Sequence, residues 1–375
     1  MKNKLIVSLI VLVYFFITNI NIHVNCTNRN KNLILSSTWL KSSFGVNQNA
    51  IFAWDIQELL QGRRPTLYLV WKGGRGPNPE AAISPNGKYI AISTWNKERD
   101  SQNILIVDLK TKKEHWLTKD FSEQFFIHWL NNELLLTYNV PHNPNGKPGI
   151  QIWNTKTEKI IKEIVINSLI AAPKNSQINT IQFAPSEINN QLIFITWIQE
   201  IKFKEYNKNS EKVIYLPTYP YKIVWFDKNN LKVVNTTSYP AINNLPYPPR
   251  QHFDIAPNGI FAFITDIQSI KEASYPEKNL IRVMKLNRSK SSFETFKIPT
   301  TNSVVQYDSV KFLNNNYLIF SEKEVKNNKV KYNVVVYSIK DKKMYKFEPI
   351  WNGKNIALVS HKVVPEKISL SLLTE

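Results

Sequence analysis

One pattern constrains this chain more than anything else in it: a turn rich in Asn, Gly, Ser and Pro that runs straight into a short apolar segment, again and again. It appears as Asn47-Gln48-Asn49 before Ala50–Trp54, as Ser84-Pro85-Asn86-Gly87-Lys88 before Tyr89–Ile92, and as Asn131-Asn132 before Leu134–Leu136. It returns at Asn189-Asn190 before Leu192–Ile195, at Ala256-Pro257-Asn258-Gly259 before Ile260–Phe263, at Asn314-Asn315-Asn316 before Tyr317–Phe320, and at Asn352-Gly353-Lys354 before Ile356–Val359. The apolar segments are too short for helices and rich in β-branched and aromatic residues, so they read as strands.

A second strand follows each of the first, as in Leu67–Trp71, Ile104–Val107, Ile150–Trp153, Lys222–Phe226, Ile281–Met284, Val334–Tyr337 and Ile368–Leu372. A Lys-rich turn and a further strand come next in most units, for example Asp108–Lys113 before Glu114–Leu117 and Ser338–Lys343 before Met344–Phe347. Units of about 40–50 residues with about four strands each are the signature of a β-propeller. A single four-stranded sheet cannot bury both its faces, whereas sheets stacked in a ring cover one another. The expected fold is therefore all-β: a single propeller over residues 33–375 with four-stranded antiparallel blades, and the strand just after each turn near the channel. Seven turn-strand hits favour seven blades, and six result if the first hit is irregular. The last unit stops after its third strand, so Asn32–Ser36 is expected to supply its outer strand and close the ring by pairing the two ends of the chain.

The unit Ile83–Ile92, Ile104–Leu109 and Trp116-Leu117-Thr118 resembles the TolB-type, WD-like propeller repeat, and Ile255–Gly259 matches it in part. The repeat is also similar to those in the propeller domains of prolyl oligopeptidases and dipeptidyl peptidases. The resemblance implies architecture, covering roughly residues 33–375, more than it implies a Tol role. It also implies no hydrolase domain and no TolB-type amino-terminal domain, because no stretch of the chain is left for either.

Long connections cluster in two classes, those between second and third strands and those between blades. Ile56–Pro65, Trp95–Asn103, Tyr138–Gly149, Trp197–Pro220 and Asp266–Asn279 are assigned to the first class, Gly73–Glu80 and Ser238–Phe253 to the second. Both classes belong to one face, and insertions gathered on one face of a repeat array mark its binding face. The expected interface residues are Arg63, Arg64, Arg75, His142, Tyr219, Tyr247, Arg250 and Tyr275, because Tyr, Arg and His make rigid amphipathic contacts.

Catalytic patterns are missing. There is no H-E-x-x-H, no G-x-S-x-G elbow and only one cysteine, Cys26. The loop Lys72-Gly73-Gly74-Arg75-Gly76 lacks the spacing of a phosphate-binding loop. His128, His252 and His361 with Asp254 or Asp266 are the candidates for a metal site gathered in a channel, and no metal, cofactor or catalytic group is expected. The alternative is a propeller enzyme of lactonase, glycosidase or lyase type, with acidic residues and His at the channel mouth. The formal net charge of +19 comes mostly from Lys scattered over short turns, which argues against nucleic acid and fits an anionic surface or an acidic envelope protein. Lys2 and Lys4 precede the apolar run Leu5–Ile17, which is shorter than the ~20 residues of a spanning helix and reads as an export leader. Residues 1–26 are thus a signal peptide or signal anchor, with lipid attachment at Cys26 the third outcome. The sequence reading is a monomeric, exported, non-catalytic binding platform at the cell envelope, periplasmic or membrane-attached, touching membrane only through residues 1–26.

Overall fold

Asn and Asp recur at the turns for a reason that the computed structural model makes plain. Asp108 Oδ1 accepts the backbone N–H groups of Lys110 (3.0 Å) and Thr111 (2.8 Å). Asn131, Asn154, Asp227 and Asn314 each take the N–H groups two and three residues ahead in the same way. Each short side chain mimics a backbone carbonyl and folds the chain back on itself. In Ser84–Lys88 the Asn86 carbonyl oxygen accepts from Ser84 Oγ and Lys88 N, and Ser84 Oγ accepts from Tyr89 N. Gly87 is required there twice over: its φ is +71°, and a Cβ would stand 2.9 Å from Ile368.

These turns join six four-stranded antiparallel sheets among the described residues, which are 33–41, 47–75, 79–143, 146, 148–165, 186–188, 191–196, 200–202, 214–216, 221–239, 253–256, 260–267, 278–287, 292–298, 304–327, 329–365 and 368–374. Sheet II runs Glu80–Ile83, Tyr89–Asn96, Ser101–Asp108, Glu114–Trp116; sheet III runs Ser122–Trp129, Leu134–Pro141, Gly149–Asn154, Lys159–Val165. Sheet IV runs Ser186–Ile188, Gln191–Thr196, Tyr221–Asp227, Lys232–Tyr239; sheet V runs Phe253–Ile255, Ile260–Ile267, Lys278–Asn287, Ser292–Lys297. Sheet VI runs Val304–Phe312, Tyr317–Lys326, Lys329–Ser338, Lys343–Phe347. Sheet I is assembled from both ends of the chain: Ser360–Val363 is its first strand, followed by Leu33–Lys41, Asn47–Asp55 and Tyr68–Gly73.

The first strands of sheets V, VI, I, II and III touch one another in that order, so they form the inner side of the assembly. Successive sheets pack face to face. Leu35, Ile51 and Trp71 of sheet I meet Ile83, Ile90 and Leu105 of sheet II, and Ile104 and Ile106 meet Ile127 and Leu135 of sheet III. Leu136 and Ile152 reach Phe226 of sheet IV, Ile281 and Val283 of sheet V reach Val310 and Phe320, and Ile319 and Val334 of sheet VI meet Phe52 and Trp54. Central strands are covered on both faces, and so Ser101–Val107 is buried without alternation. Outer strands are wet: Ile160 and Ile161 in Lys159–Val165 are exposed.

Three sequence expectations change. The seventh turn-strand hit builds no four-stranded sheet: Ile350–Trp351 and Lys354–Asn355 form a two-stranded hairpin, and Ile356–Val359 is not a strand. The expected strand Ile368–Leu372 runs instead into a short helix, Leu370–Thr374; Ile368 just before it and Leu373 within it are buried in the cluster between sheets I and II. The ends do pair, but in reversed roles. Leu33–Lys41 is not an outer strand for the last unit; the carboxy-terminal strand is the inner strand of the first sheet, with Ile34 opposite Val363 and Ser37 opposite Ser360. Counting from the amino terminus therefore starts at a second strand, which has consequences for the faces.

Candidate functional site

Strand count decides which face a loop belongs to. In sheets II–VI the first-to-second and third-to-fourth connections are short turns, and the second-to-third and intersheet connections lie at the opposite end. The segment Ile56–Pro65 joins Asn47–Asp55 to Tyr68–Gly73, the third and fourth strands of sheet I. Arg63 and Arg64 thus sit with the short turns, across the molecule from Arg75 and His142. Their assignment to the long-loop face is corrected, because the first strand of that sheet comes from the far end of the chain. Tyr219, Tyr247, Arg250 and Tyr275 lie outside the described residues.

On the long-loop face the structure brings His142 together with residues that the sequence did not single out. Phe121, between sheets II and III, is 63% exposed. The Arg99 guanidinium stands 5.7 Å from the centre of its ring. The Phe121 carbonyl accepts the backbone N–H of His142, and His142 Nε2 lies 3.5 Å from Glu123 Oε1. An exposed aromatic under a cation, with its backbone tied to the strand end that carries His142 and Glu123, has the composition of an interface anchor.

Under this face the ends of the strands carry a buried polar layer. Gln124 donates to Asn139 and Gln151 and accepts from Thr137. Ser93 donates to the Gln124 carbonyl and accepts from Gln102. Ser101 and Asn103 hold the Asp120 carbonyl, one residue before Phe121. The Arg75 carbonyl accepts from Asn49, Thr94 and the Trp95 N–H, which fixes that loop beside its sheet. A hydrogen-bonded polar layer of this kind gives the loops above it a defined position.

Further in, charged side chains converge from four first strands. Lys362 Nζ is 3.0 Å from Glu80 Oε1, and Lys311 Nζ is 3.9 Å from Asp254 Oδ1. Asp254 Oδ2 also accepts the Phe312 N–H at 2.7 Å, and Lys362 reaches the Ile127 carbonyl. Burial alone would raise the Glu80 carboxyl, but Lys362 and Lys311 outweigh it and hold it below the ordinary carboxylate range. Burial, opposed by Asp254 and reinforced by Lys362, holds the Lys311 ammonium below the ordinary lysine range. Among the described residues, these two cations and two anions balance.

His361 is built into the structure. Trp54 Nε1 donates to Ser36 Oγ, which bonds His361 Nδ1 at 2.8 Å, while His361 Nε2 bonds Ser321 Oγ at 2.9 Å. Ser321 in turn donates to the Leu358 carbonyl. Both ring nitrogens are engaged in joining sheets I and VI, which leaves none to bind a metal. Among the described residues no group of three His, Cys, Asp or Glu side chains is placed to hold one. Neither is any described helix long and apolar enough to cross a membrane. His252 and the side chain of Asp266 lie outside the described residues.

Comparison of the whole arrangement with solved structures gives TolB from Acinetobacter baumannii at a TM-score of 0.50 and 13% identity, over 88% of this chain and 66% of that one. The fold is that of a TolB-like β-propeller. The propeller domain of the Trilobed protease from Pyrococcus furiosus (TM-score 0.42, 12% identity, 84% of this chain and 79% of that one) is similar as well. So is the Pyrococcus horikoshii acylaminoacyl peptidase (0.43, 13%, 86% and 45%). The propeller thus spans just under two thirds of the TolB chain and less than half of the peptidase. No protein-family model and no curated protein matches the sequence.

Proposed function

We propose that this propeller is a non-catalytic, exported binding platform that engages an envelope protein through its long-loop face. Six blades in a ring closed by the pairing of the two chain ends is the architecture we infer, supported by the six sheets and by the contacts of Ser360–Val363 with its neighbours. The single observation that carries the binding role is the exposed Phe121 beneath Arg99 and beside His142, set on a buried polar layer. Export rests on the sequence of residues 1–26, and the likeness to TolB supports a protein partner.

The test is crosslinking and pull-down from envelope extract with the full chain and a Phe121→Ala/Arg99→Glu variant. The variant is expected to lose at least tenfold in captured partner while unfolding like the parent. A variant that retains every partner overturns the reading. Attraction between a basic face and an acidic partner is screened by salt, so capture is also expected to fall between ~50 and ~300 mM salt; unchanged capture would remove electrostatics from the account.

A further inference from the structure

Arg63 and Arg64, displaced from the long-loop face, line a cleft of about 620 Å³ on the rim of the propeller. One wall is the end of the short helix Ile56–Leu60 and the turn Gln61–Arg64. The other is Lys343–Glu348, six consecutive residues that include the whole outer strand of sheet VI. That strand pairs only with Lys329–Ser338, so its far edge is unpaired within the sheet. Both faces of a strand alternate along its length, and a cleft lined by every residue in succession must run along the edge rather than over one face. At an antiparallel edge every second residue turns its N–H and C=O outward. One end of the edge shows how such groups are met: the Glu348 carbonyl accepts Arg64 Nη2 at 2.9 Å.

The charge of the cleft is one-sided. Arg63, Arg64, Lys343 and Lys346 line it with Glu348 as the single acid. Lys346 is already taken by Glu322 and Glu324, and Glu348 by Lys331. Among the described residues no carboxylate pairs with Arg63, Arg64 or Lys343: the Arg63 guanidinium bonds the Gln61 amide oxygen, and Lys343 lies over the Tyr345 ring. The inner part of the cleft is apolar, with Leu59 and Phe347 buried and Leu60 and Met344 half-buried.

We propose that this cleft takes an extended, acidic peptide segment of a partner protein, which adds a fifth strand to sheet VI. Six residues of added strand would run about 20 Å along the edge. Backbone pairing supplies the main attraction, alternate acidic side chains face Arg63, Arg64 and Lys343, and the intervening apolar ones face Leu60 and Met344. The site lies at the outer edge of sheet VI and is lined by none of the residues around Phe121, so either proposal stands if the other fails.

The probe is a fluorescein-labelled, acetylated peptide of alternating Glu and Val, titrated with the full chain and read by anisotropy. A second peptide carries N-methyl groups at alternate residues, and a third replaces Glu with Lys. We expect saturable binding of the first peptide, at least tenfold weakening for the N-methylated one, and no binding of the Lys one. We expect at least tenfold weakening in the Arg63→Glu/Arg64→Glu variant, with thermal unfolding unchanged. Slowed amide exchange within 343–348 upon peptide addition is the accompanying signature. The proposal is overturned if the first peptide fails to bind at millimolar concentration, if N-methylated and parent peptides bind alike, or if the Arg variant keeps full affinity.

Discussion

Lys362 and Glu80 form the pair on which the interior most depends, since each is mostly withdrawn from solvent and each would be left charged without the other. Lys362→Met is expected to cost about 3 kcal/mol in urea unfolding at neutral pH, because the buried Glu80 carboxylate loses its hydrogen-bonded cation and keeps only the field of Lys311. The pH dependence follows from the lowered Glu80 value. A carboxyl depressed by folding adds stability above its unfolded value, about pH 4.3, and that contribution disappears as pH falls through its folded value. The acid limb of the parent should thus lie below that of Lys362→Met, which loses the depression; coincident limbs would refute the pairing. The third-to-fourth turns suggest a change of opposite sign. Lys112, Glu158, Leu231 and Lys342 occupy the same turn position, each with a positive φ of 51–57°. Lys112→Gly is expected to raise stability by about 0.5–1 kcal/mol, since glycine takes that conformation without steric cost.

At the scale of the element, sheet I carries the most information. Trp54 is fully buried, bonds Ser36 and packs on Phe347 with centroids 5.0 Å apart, and thereby joins sheet I to sheet VI. Trp54→Ala should cost about 3–5 kcal/mol. A stop codon in place of Ser360 removes the inner strand of sheet I, and the cooperative unfolding transition should be lost or broadened; an unchanged transition would show that the pairing with Leu33–Lys41 contributes nothing. This sheet also marks the boundary of what the sequence makes legible. Turns were readable because Asn and Asp act locally, on amides two and three residues ahead. Strand partners about 300 residues apart leave no local trace, so the sequence alone puts Arg63 and Arg64 on the long-loop face, whereas the segment that carries them joins the third and fourth strands of sheet I. Phe121 and Arg99 escaped for a related reason. Their proximity arises between a loop within sheet II and the crossing to sheet III, and neither residue stands out alone. The balance of Glu80, Lys311, Lys362 and Asp254 is likewise visible only after four first strands converge.

For the whole molecule, the two ends of the propeller differ in kind. The short-turn side is closed by side chains that bond their own turns, and the long-loop side is carried on a buried polar layer from Asn49 to Gln151. Gln124→Leu would leave Thr137, Asn139 and Gln151 without their shared partner. We expect it to cost about 2 kcal/mol and to weaken partner capture as well, because loops lose their footing. Loss of stability with full capture would confine that layer to a structural role.

Synthesis proceeds from one end of the chain, and the amino-terminal sheet must wait for its last component. Until residues 360–363 have left the ribosome, Leu33–Lys41 offers a bare hydrogen-bonding edge, and the nascent protein cannot latch. Nascent chains arrested short of that point should remain digestible, and emergence of Ser360–Val363 should switch on resistance across the first and last sheets together. A sheet whose inner strand is supplied by residues 360–363 thus stays open to proteases until that strand has paired with Leu33–Lys41.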